Sequence, residues 1–290
     1  TLLKIQQMGV RIVLASGRPT FGIRPIALKL ELDKNDGFIL SYNGGQIISM
    51  QKEELLFEKR INPEMLAYLE KKATESGFDV FTYHQDKIYT NNPFNEYITR
   101  EAHINRMGVL SFEHLAPHID FAPCKFMIAG KREDHLIKLE QHWKKRLNGV
   151  LDVFRSEPYF LEVVPNFIDK ANTLGVLLEK LSVKPEEVMA IGDGVCDFSM
   201  IQLAGLGVAM GNAQDSVKAC ADIVTTSNDE DGVALAVENN ILAEIHPSEI
   251  PLDELNARAR HALMGNLGIQ YTYASDKRIE ATMPVDERRS

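Results

Sequence analysis

Cysteine is scarce in this chain and shows no pairing pattern. Cys124, Cys196 and Cys220 are odd in number and form no C-x-x-C pair. That argues against both a disulfide framework and a zinc knuckle, and it makes a reducing, cytoplasmic setting the simpler context. No apolar run approaches the length needed to cross a bilayer, which sets aside membrane-spanning classes. No signal-peptide pattern opens the chain. It starts at Thr1 without Met and enters helix-like sequence at once, so a fragment of a longer protein is expected. Nor does any Lys/Arg-rich run offset the net charge of −9. Binding to nucleic acid through its phosphates needs clustered cations, so a nucleic-acid partner is not expected. A small phosphorylated metabolite is compatible with an acidic surface, because a metal and a few local cations can hold it. Internal repeats and low-complexity tracts are also absent.

What is present is ordinary globular sequence. The 290 residues are 44% hydrophobic and 25% charged, enough for about two domains. After a short helical segment from Thr1 to Met8, the β-branched run Val10 to Ala15 predicts a strand buried on both faces, as in parallel sheets. It ends in Ser16-Gly17-Arg18-Pro19, and a second strand, Gly37 to Ser41, ends in Tyr42-Asn43-Gly44-Gly45. From residue 53 to 165 the texture becomes α+β, with a helix over Pro63 to Ser76, short strands, a helix over Glu133 to Leu147 and a closing hairpin. Between 166 and 245 the α/β pattern returns, with Lys170 to Leu181 helical and Val188 to Ile191 a strand ending in Gly192-Asp193. The expectation is one α/β domain, split into 1–52 and 166–245, around an insert at 53–165. Residues 246–290 form a Pro-containing linker, a helix over Leu252 to Leu267 and a strand or hairpin over Ile269 to Pro284. A lone helix and strand cannot bury their own apolar faces, so this piece is expected to need a partner or more chain beyond Ser290.

Ligands of open α/β sheets bind beyond the carboxyl ends of the strands. Ser16 and Asp193 fall at such ends, and Lys170 opens a helix, where backbone N–H groups also favour anions. A hydroxyl donor, a cation and a carboxylate suit a phosphoryl group with Mg²⁺, which binds oxygen ligands through one or two carboxylates plus phosphate oxygens. Each has a plainer reading beside it. Ser-Gly-Arg-Pro is a common turn, Lys170 alone is a solvated helix residue, and Asp193 between glycines can be only a turn. Asp197 lies four residues on, where it could fix Asp193 or simply favour a helix N-terminus.

The run GDGVCDFSMIQLAGLGVAMGNAQDSVKACADIVTTSNDEDGVA resembles the closing motif of the Cof-type branch of the haloacid dehalogenase superfamily. LASGRP resembles that family's second motif, and Lys170 stands where its third-motif lysine is expected. The resemblance runs from about Thr1 to about Ile245. It implies a Rossmann-like core with an α+β cap inserted between Ser16 and Lys170, and Mg²⁺-dependent hydrolysis of phosphate monoesters such as sugar or cofactor phosphates. It further implies that Ser16 hydrogen-bonds the phosphoryl group, that Lys170 neutralises its charge, and that Asp193 binds Mg²⁺ with Asp197 supporting the metal shell. Asn43, Arg18 and Asn228 become substrate-side candidates.

Two features depart from the family pattern. Cys196 stands where the family often has Asn, and Ala171 replaces a common Gly. A larger departure lies upstream: the family's D-x-D-G-T motif, with its nucleophile and its general acid/base, should precede the first helix, yet residues 1–15 contain no Asp. The chain as it stands is therefore expected to be inactive. The tail LNARARHALMGNLGIQYTYASDKRIEATMPVDER resembles the opening of a phenylacetate-type hotdog acyl-CoA thioesterase, which implies a partial hotdog segment and a route to homo-oligomers. A phosphatase/thioesterase fusion and a noncatalytic fragment stand as the alternatives. A P-type ATPase, which shares G-D-G-x-x-D, is set aside for want of membrane helices.

Overall fold

Helix α1 (Leu2–Gln7) ends at Gly9, whose φ of +92° suits glycine in the turn that leads into strand β1 (Val13–Ala15). The computed structural model describes residues 1–242 and, beyond them, the backbone of two strands, Gln270–Ala274 and Ile279–Thr282. β1 pairs in parallel with β2 (Phe38–Ser41), and helix α2 (Thr20–Lys29) makes the crossover that a parallel pair requires. β2 turns back antiparallel onto β3 (Gln46–Ser49), and β3 onto β4 (Glu54–Glu58). β4 thus carries the core sheet past the boundary expected at residue 53, because its Leu55 and Phe57 register against Ile48 and Ile47.

The inserted unit contains α3 (Leu66–Glu75), β5 (Asp79–His84), β6 (Lys87–Thr90), α4 (Glu96–Asn105) and β7 (Gly108–Ser111). It continues with β8 (Phe126–Ala129), α5 (Glu133–Arg146), β9 (Leu151–Glu157) and β10 (Phe160–Pro165). Its six strands run in the order β7-β6-β5-β8-β10-β9. Alternation along β8 divides the packing. Phe126 and Ile128 meet α3 and α5 through Leu69, Leu136 and Trp143. Met127 and Ala129 face the other way, towards α4 and towards Tyr42 of the core.

The chain then returns to the core through α6 (Lys170–Leu181), β11 (Met189–Gly192), α7 (Phe198–Leu203) and β12 (Leu206–Ala209). It closes with α8 (Asp215–Lys218), β13 (Ile223–Val224) and α9 (Gly232–Val237), followed by a π-helical turn at Glu238–Leu242. β11, β12 and β13 form a second parallel sheet. α6 joins the halves: Leu174, Leu177 and Leu178 pack on Phe38, Leu40 and Ile47 from the first sheet, on Ala190 from the second and on Met200 of α7.

One expectation needs correction. Val13, Leu14 and Ala15 are only half-buried, and the strand is shorter than the run Val10 to Ala15. The physical reason is pairing: among the described residues, β1 has β2 on one edge and no strand on the other, and β11 likewise has only β12. Beyond the core, β14 (Gln270–Ala274) and β15 (Ile279–Thr282) pair antiparallel, within the span expected to hold a strand or hairpin. The helix expected over Leu252 to Leu267, and most of the hotdog-like segment, lie outside the described residues. No helix among the described residues is long and apolar enough to cross a membrane.

Candidate active site

The turns that follow β1 and β2 are bonded to each other. Ser16 N donates to Leu40 O (2.9 Å), Asn43 N to Ser16 O (3.0 Å) and Tyr42 N to Arg18 O (3.0 Å). Arg18 N in turn donates to Ser16 Oγ at 3.2 Å, while the Arg18 residue itself is exposed. Gly17 is needed for the closeness of this junction, since a Cβ there would stand 2.9 Å from Asn43 Oδ1. Tyr42 and Asn43 both adopt left-handed backbone, at φ 54° and 56°, which bends the second turn towards α6. There Gly44, at φ +105°, lies so near α6 that a Cβ would come within 2.5 Å of Asp169 O. Thr173 Oγ1 donates to Gly44 O at 2.8 Å, and Asp169 caps the helix by accepting from Asn172 N at 2.8 Å.

Lys170 starts that helix and is buried. Its ammonium pairs with Asp197 Oδ1, while Asp197 Oδ2 accepts from Asp193 N (3.1 Å) and Gly194 N (3.0 Å). Asp197 therefore lies beneath the Asp193 turn with both oxygens engaged, and Asp193 is left exposed above it. Gly192 permits this stacking, because a Cβ there would be 2.4 Å from Asp197 Cβ. Asp193 Oδ2 accepts from Asn212 Nδ2 at 3.0 Å, and Asn212 Oδ1 accepts from Asn228 N at 3.0 Å. Asn228 thus supports the site through its backbone, while its own amide donates to Asp229 Oδ1 at 3.2 Å. Cys196 is an exposed neighbour. Desolvation pushes its thiol pKa up, against the opposing pull of Lys170.

Ser16 and Asn43, after β1 and β2, are thereby joined to Lys170, Asp197 and Asp193, around the end of β11, through the contact of Gly44 with the start of α6. Arg18 and Asn228 lie at the margins of this cluster. Sequence reasoning missed three members. Asn212 follows β12 and obeys the same strand-end rule as Asp193. Lys125 and Glu162 belong to the inserted unit and are 3% and 4% exposed. Their signal was a charge inside an apolar run, Phe-Met-Ile-Ala after Lys125 and Phe-Leu before Glu162, since such charges are rarely buried unless paired. Lys125 Nζ donates to Gly17 O (3.0 Å) and Glu162 Oε2 (3.1 Å), and Asn43 Nδ2 donates to Glu162 Oε2 (3.4 Å).

As a metal site, the arrangement offers Asp193 as its accessible carboxylate. Among the described residues no group of three or more His, Cys, Asp and Glu could hold a metal ion. That donor set fits Mg²⁺, which completes its shell with water and phosphate oxygens, better than it fits a caged transition metal. A separate cavity of about 460 Å³ runs along the seam between α2 and the inserted unit, lined by Thr20, Arg24, Tyr42, Glu58 and His84 among others. It includes none of Ser16, Lys170 or Asp193, and the strand-end cluster is the better candidate because the convergent polar groups are there.

Comparison with known proteins gives the family. The chain is 32% identical over 238 residues to the 5-amino-6-(5-phospho-D-ribitylamino)uracil phosphatase YcsE of Bacillus subtilis, covering 82% of this chain and 84% of that protein. A crystal structure of a haloacid dehalogenase-like hydrolase from Bacteroides thetaiotaomicron superposes with a TM-score of 0.79 at 47% identity, over 82% of this chain and 89% of the other. The subclass IIB sugar phosphatase BT4131 superposes at 0.67 with 23% identity, over 82% and 88%, a likeness of fold alone. A family model described as haloacid dehalogenase-like hydrolase matches residues 1–237. The chain belongs to the haloacid dehalogenase-like hydrolases, at family level enzymes that act on phosphate monoesters.

Proposed function

We propose that this chain is the larger part of a Mg²⁺-dependent phosphatase for small phosphate monoesters such as sugar or cofactor phosphates, with the inserted unit serving as its cap. The observation that carries this reading is that the Ser16–Asn43 junction meets α6 through Gly44 O and Thr173 Oγ1, while Lys170 at the start of that helix pairs with Asp197 beneath the Asp193 turn. The name of the B. subtilis relative, a phosphatase of a phosphorylated ribitylamino compound, supports the substrate class.

In this scheme Ser16 Oγ donates to a phosphoryl oxygen, and Lys170 offsets the negative charge that gathers as nucleophile and phosphate approach. Asp193 would hold the Mg²⁺, kept in place by Asn212 below its carboxylate and by Asp197 below its backbone. The metal supplies charge neutralisation on the transferring group. The first Asp of D-x-D-G-T attacks phosphorus through a carboxylate oxygen, and the ester oxygen leaves as the alcohol with a proton from the second Asp of that motif. Water then cleaves the aspartyl phosphate and releases inorganic phosphate. Residues 1–15 contain no Asp, so that carboxylate is not supplied by the stretch before Ser16. Each of β1 and β11 has one edge without a strand among the described residues, and a parallel strand bearing D-x-D-G-T would pair there. Turnover is expected only when it is present. Three free cysteines suit a cytoplasmic setting. The β14–β15 pairing is compatible with a hotdog segment, and a downstream His-Gly-Gly sequence would extend the proposal to a fusion with a thioesterase.

The test is hydrolysis of para-nitrophenyl phosphate with Mg²⁺, by this chain and by a form preceded by a D-x-D-G-T strand. The extended form should turn over, stop on chelation and fail as Asp193→Asn. Robust Mg²⁺-dependent turnover by the present chain would overturn the need for the added strand. An extended form inert on a broad panel of phosphate esters would overturn the phosphatase reading.

A further inference from the structure

We propose that the Lys125–Glu162 ion pair is a two-point grip by which the inserted unit positions both phosphate-site turns of the core. The register of the sheet puts the two residues together. Glu162 stands opposite Met127, and Lys125 lies two residues before Met127, so both point to the face that Met127 shares with Tyr42. Lys125 Nζ also lies 5.6 Å from the Tyr83 ring on that face.

A buried ion pair is a poor device for stability. Desolvating the two charges cancels most or all of their attraction, and an apolar pair of similar volume often serves the fold as well. What this pair adds is the use of its remaining hydrogen-bonding capacity. Lys125 spends one N–H on the Gly17 carbonyl, in the turn after β1. Glu162 accepts from the Asn43 amide, in the turn after β2. These are the same two turns that bond to each other through Asn43 N to Ser16 O and Tyr42 N to Arg18 O. One pair from the insert therefore holds both members of a junction whose Ser16 hydroxyl must be aimed to within a fraction of an ångström. Tyr42 packs into the apolar cluster it shares with Tyr83, but Gly17 brings no side chain to the first turn, which therefore has little packing of its own to hold it still. Lys125 and Glu162 are positioning residues in this account. Their consequence for turnover rests on the phosphatase reading, whereas the grip itself does not.

The experiment is residue-resolved hydrogen exchange on the full chain, comparing the wild type with Lys125→Met, Glu162→Gln and the double variant. The reporters are the Tyr42 and Asn43 amides, with the β8–β10 amides as the internal control. In the double variant, protection at Tyr42 and Asn43 should fall roughly ten- to hundredfold, the range carried by hydrogen bonds to charged groups, while β8–β10 protection holds. Lys125→Met alone leaves a buried carboxylate unpaired and can unfold the insert, which is why the neutral double variant carries the test. Unchanged exchange at Tyr42 and Asn43 in the double variant overturns the grip. So does loss of β8–β10 protection in that variant, which would assign the pair to the stability of the insert. In the D-x-D-G-T-bearing protein, the double variant should lower kcat roughly ten- to hundredfold with KM little changed. An active phosphatase with unmoved reporter amides would sink the grip alone, and an inert protein with loosened reporters would sink the phosphatase reading alone.

Discussion

In the inserted unit, β5, β6, β8 and β10 each have a strand on both sides, and α3 and α5 cover one whole face around Trp143. In the core, the strands that lead to Ser16 and Asp193 each have one neighbour among the described residues, and α6 holds the two sheets together from one side. The insert is thus built to be rigid by itself, while the core places its chemistry at the least supported edges of its sheets. The difference teaches where this molecule is vulnerable: a packing defect around Trp143 stays within the insert, whereas a defect in α6 reaches both halves of the site.

The sharpest way to break that comparison is to cut one large side chain from each region. Trp143 and Leu177 are both fully buried. Trp143→Ala should cost about 3–5 kcal/mol and Leu177→Ala about 2–5 kcal/mol in urea unfolding. Hydrogen exchange should then separate them. Leu177→Ala is expected to loosen β2 and β11 together and to spare β8, and Trp143→Ala to do the reverse. Loosening of only one core sheet by Leu177→Ala would show that α6 is not the bridge.

A smaller loss is expected at the turn beneath Asp193. Gly192→Ala would put a Cβ 2.4 Å from Asp197 Cβ. Relieving that overlap should cost about 1–3 kcal/mol and displace Asp197 from the Asp193 and Gly194 amides. Calorimetric titration with Mg²⁺ should show weakened binding, and equal affinity in the variant would contradict the placement of Asp197 as the support of Asp193.

The seam between the two regions gives a pH dependence. Burial, chiefly, pushes the Tyr42 phenol, the Tyr83 phenol and the Cys124 thiol well above their ordinary pKa values, with Glu58 adding to the effect on Cys124 and Glu101 to that on Tyr83. Because the folded values are raised, the stability these groups contribute is complete below their unfolded pKa, about 8.5 for the thiol and about 10 for the phenols. It is lost as pH rises above those values, by up to about 1.4 kcal/mol per pH unit for each group. Urea midpoints should therefore fall from about pH 8.5 upward, first through Cys124. Cys124→Ala should remove the earliest part of that slope.

Much of this arrangement was legible in the sequence, for reasons that differ by residue. Lys170 to Leu181 was readable to the residue because apolar spacing and the Asp169 cap agree there. Ser16 and Asp193 were readable because strand ends in α/β sheets are ligand positions. The half-exposure of β1 was not, since its composition records the burial that a neighbour on each edge would give, and composition does not report pairing. β4 was assigned to the insert because the texture of the sequence changes at about residue 53; only the register with β3 returns it to the core. Lys125 and Glu162 were passed over because each is an isolated charge in sequence, and the contact that explains them crosses 37 positions.

The smallest expected effect compares two helix caps of the same chemistry. Asn95 caps α4 in the insert by accepting from Tyr97 N at 2.9 Å, and Asp169 caps α6 in the core by accepting from Asn172 N at 2.8 Å. Removing either cap as Ala should cost about 1 kcal/mol. If the regions differ as argued, the consequences diverge beyond that figure. Asn95→Ala should leave exchange at Asn43 unchanged. Asp169→Ala should raise it, because the Asp169 carbonyl abuts Gly44 and the first turn of α6 presents Lys170 to Asp197. Equal exchange at Asn43 in the two variants would mean that the start of α6 is held by its packing on the sheets, and that the phosphate-site turns do not depend on how the helix begins.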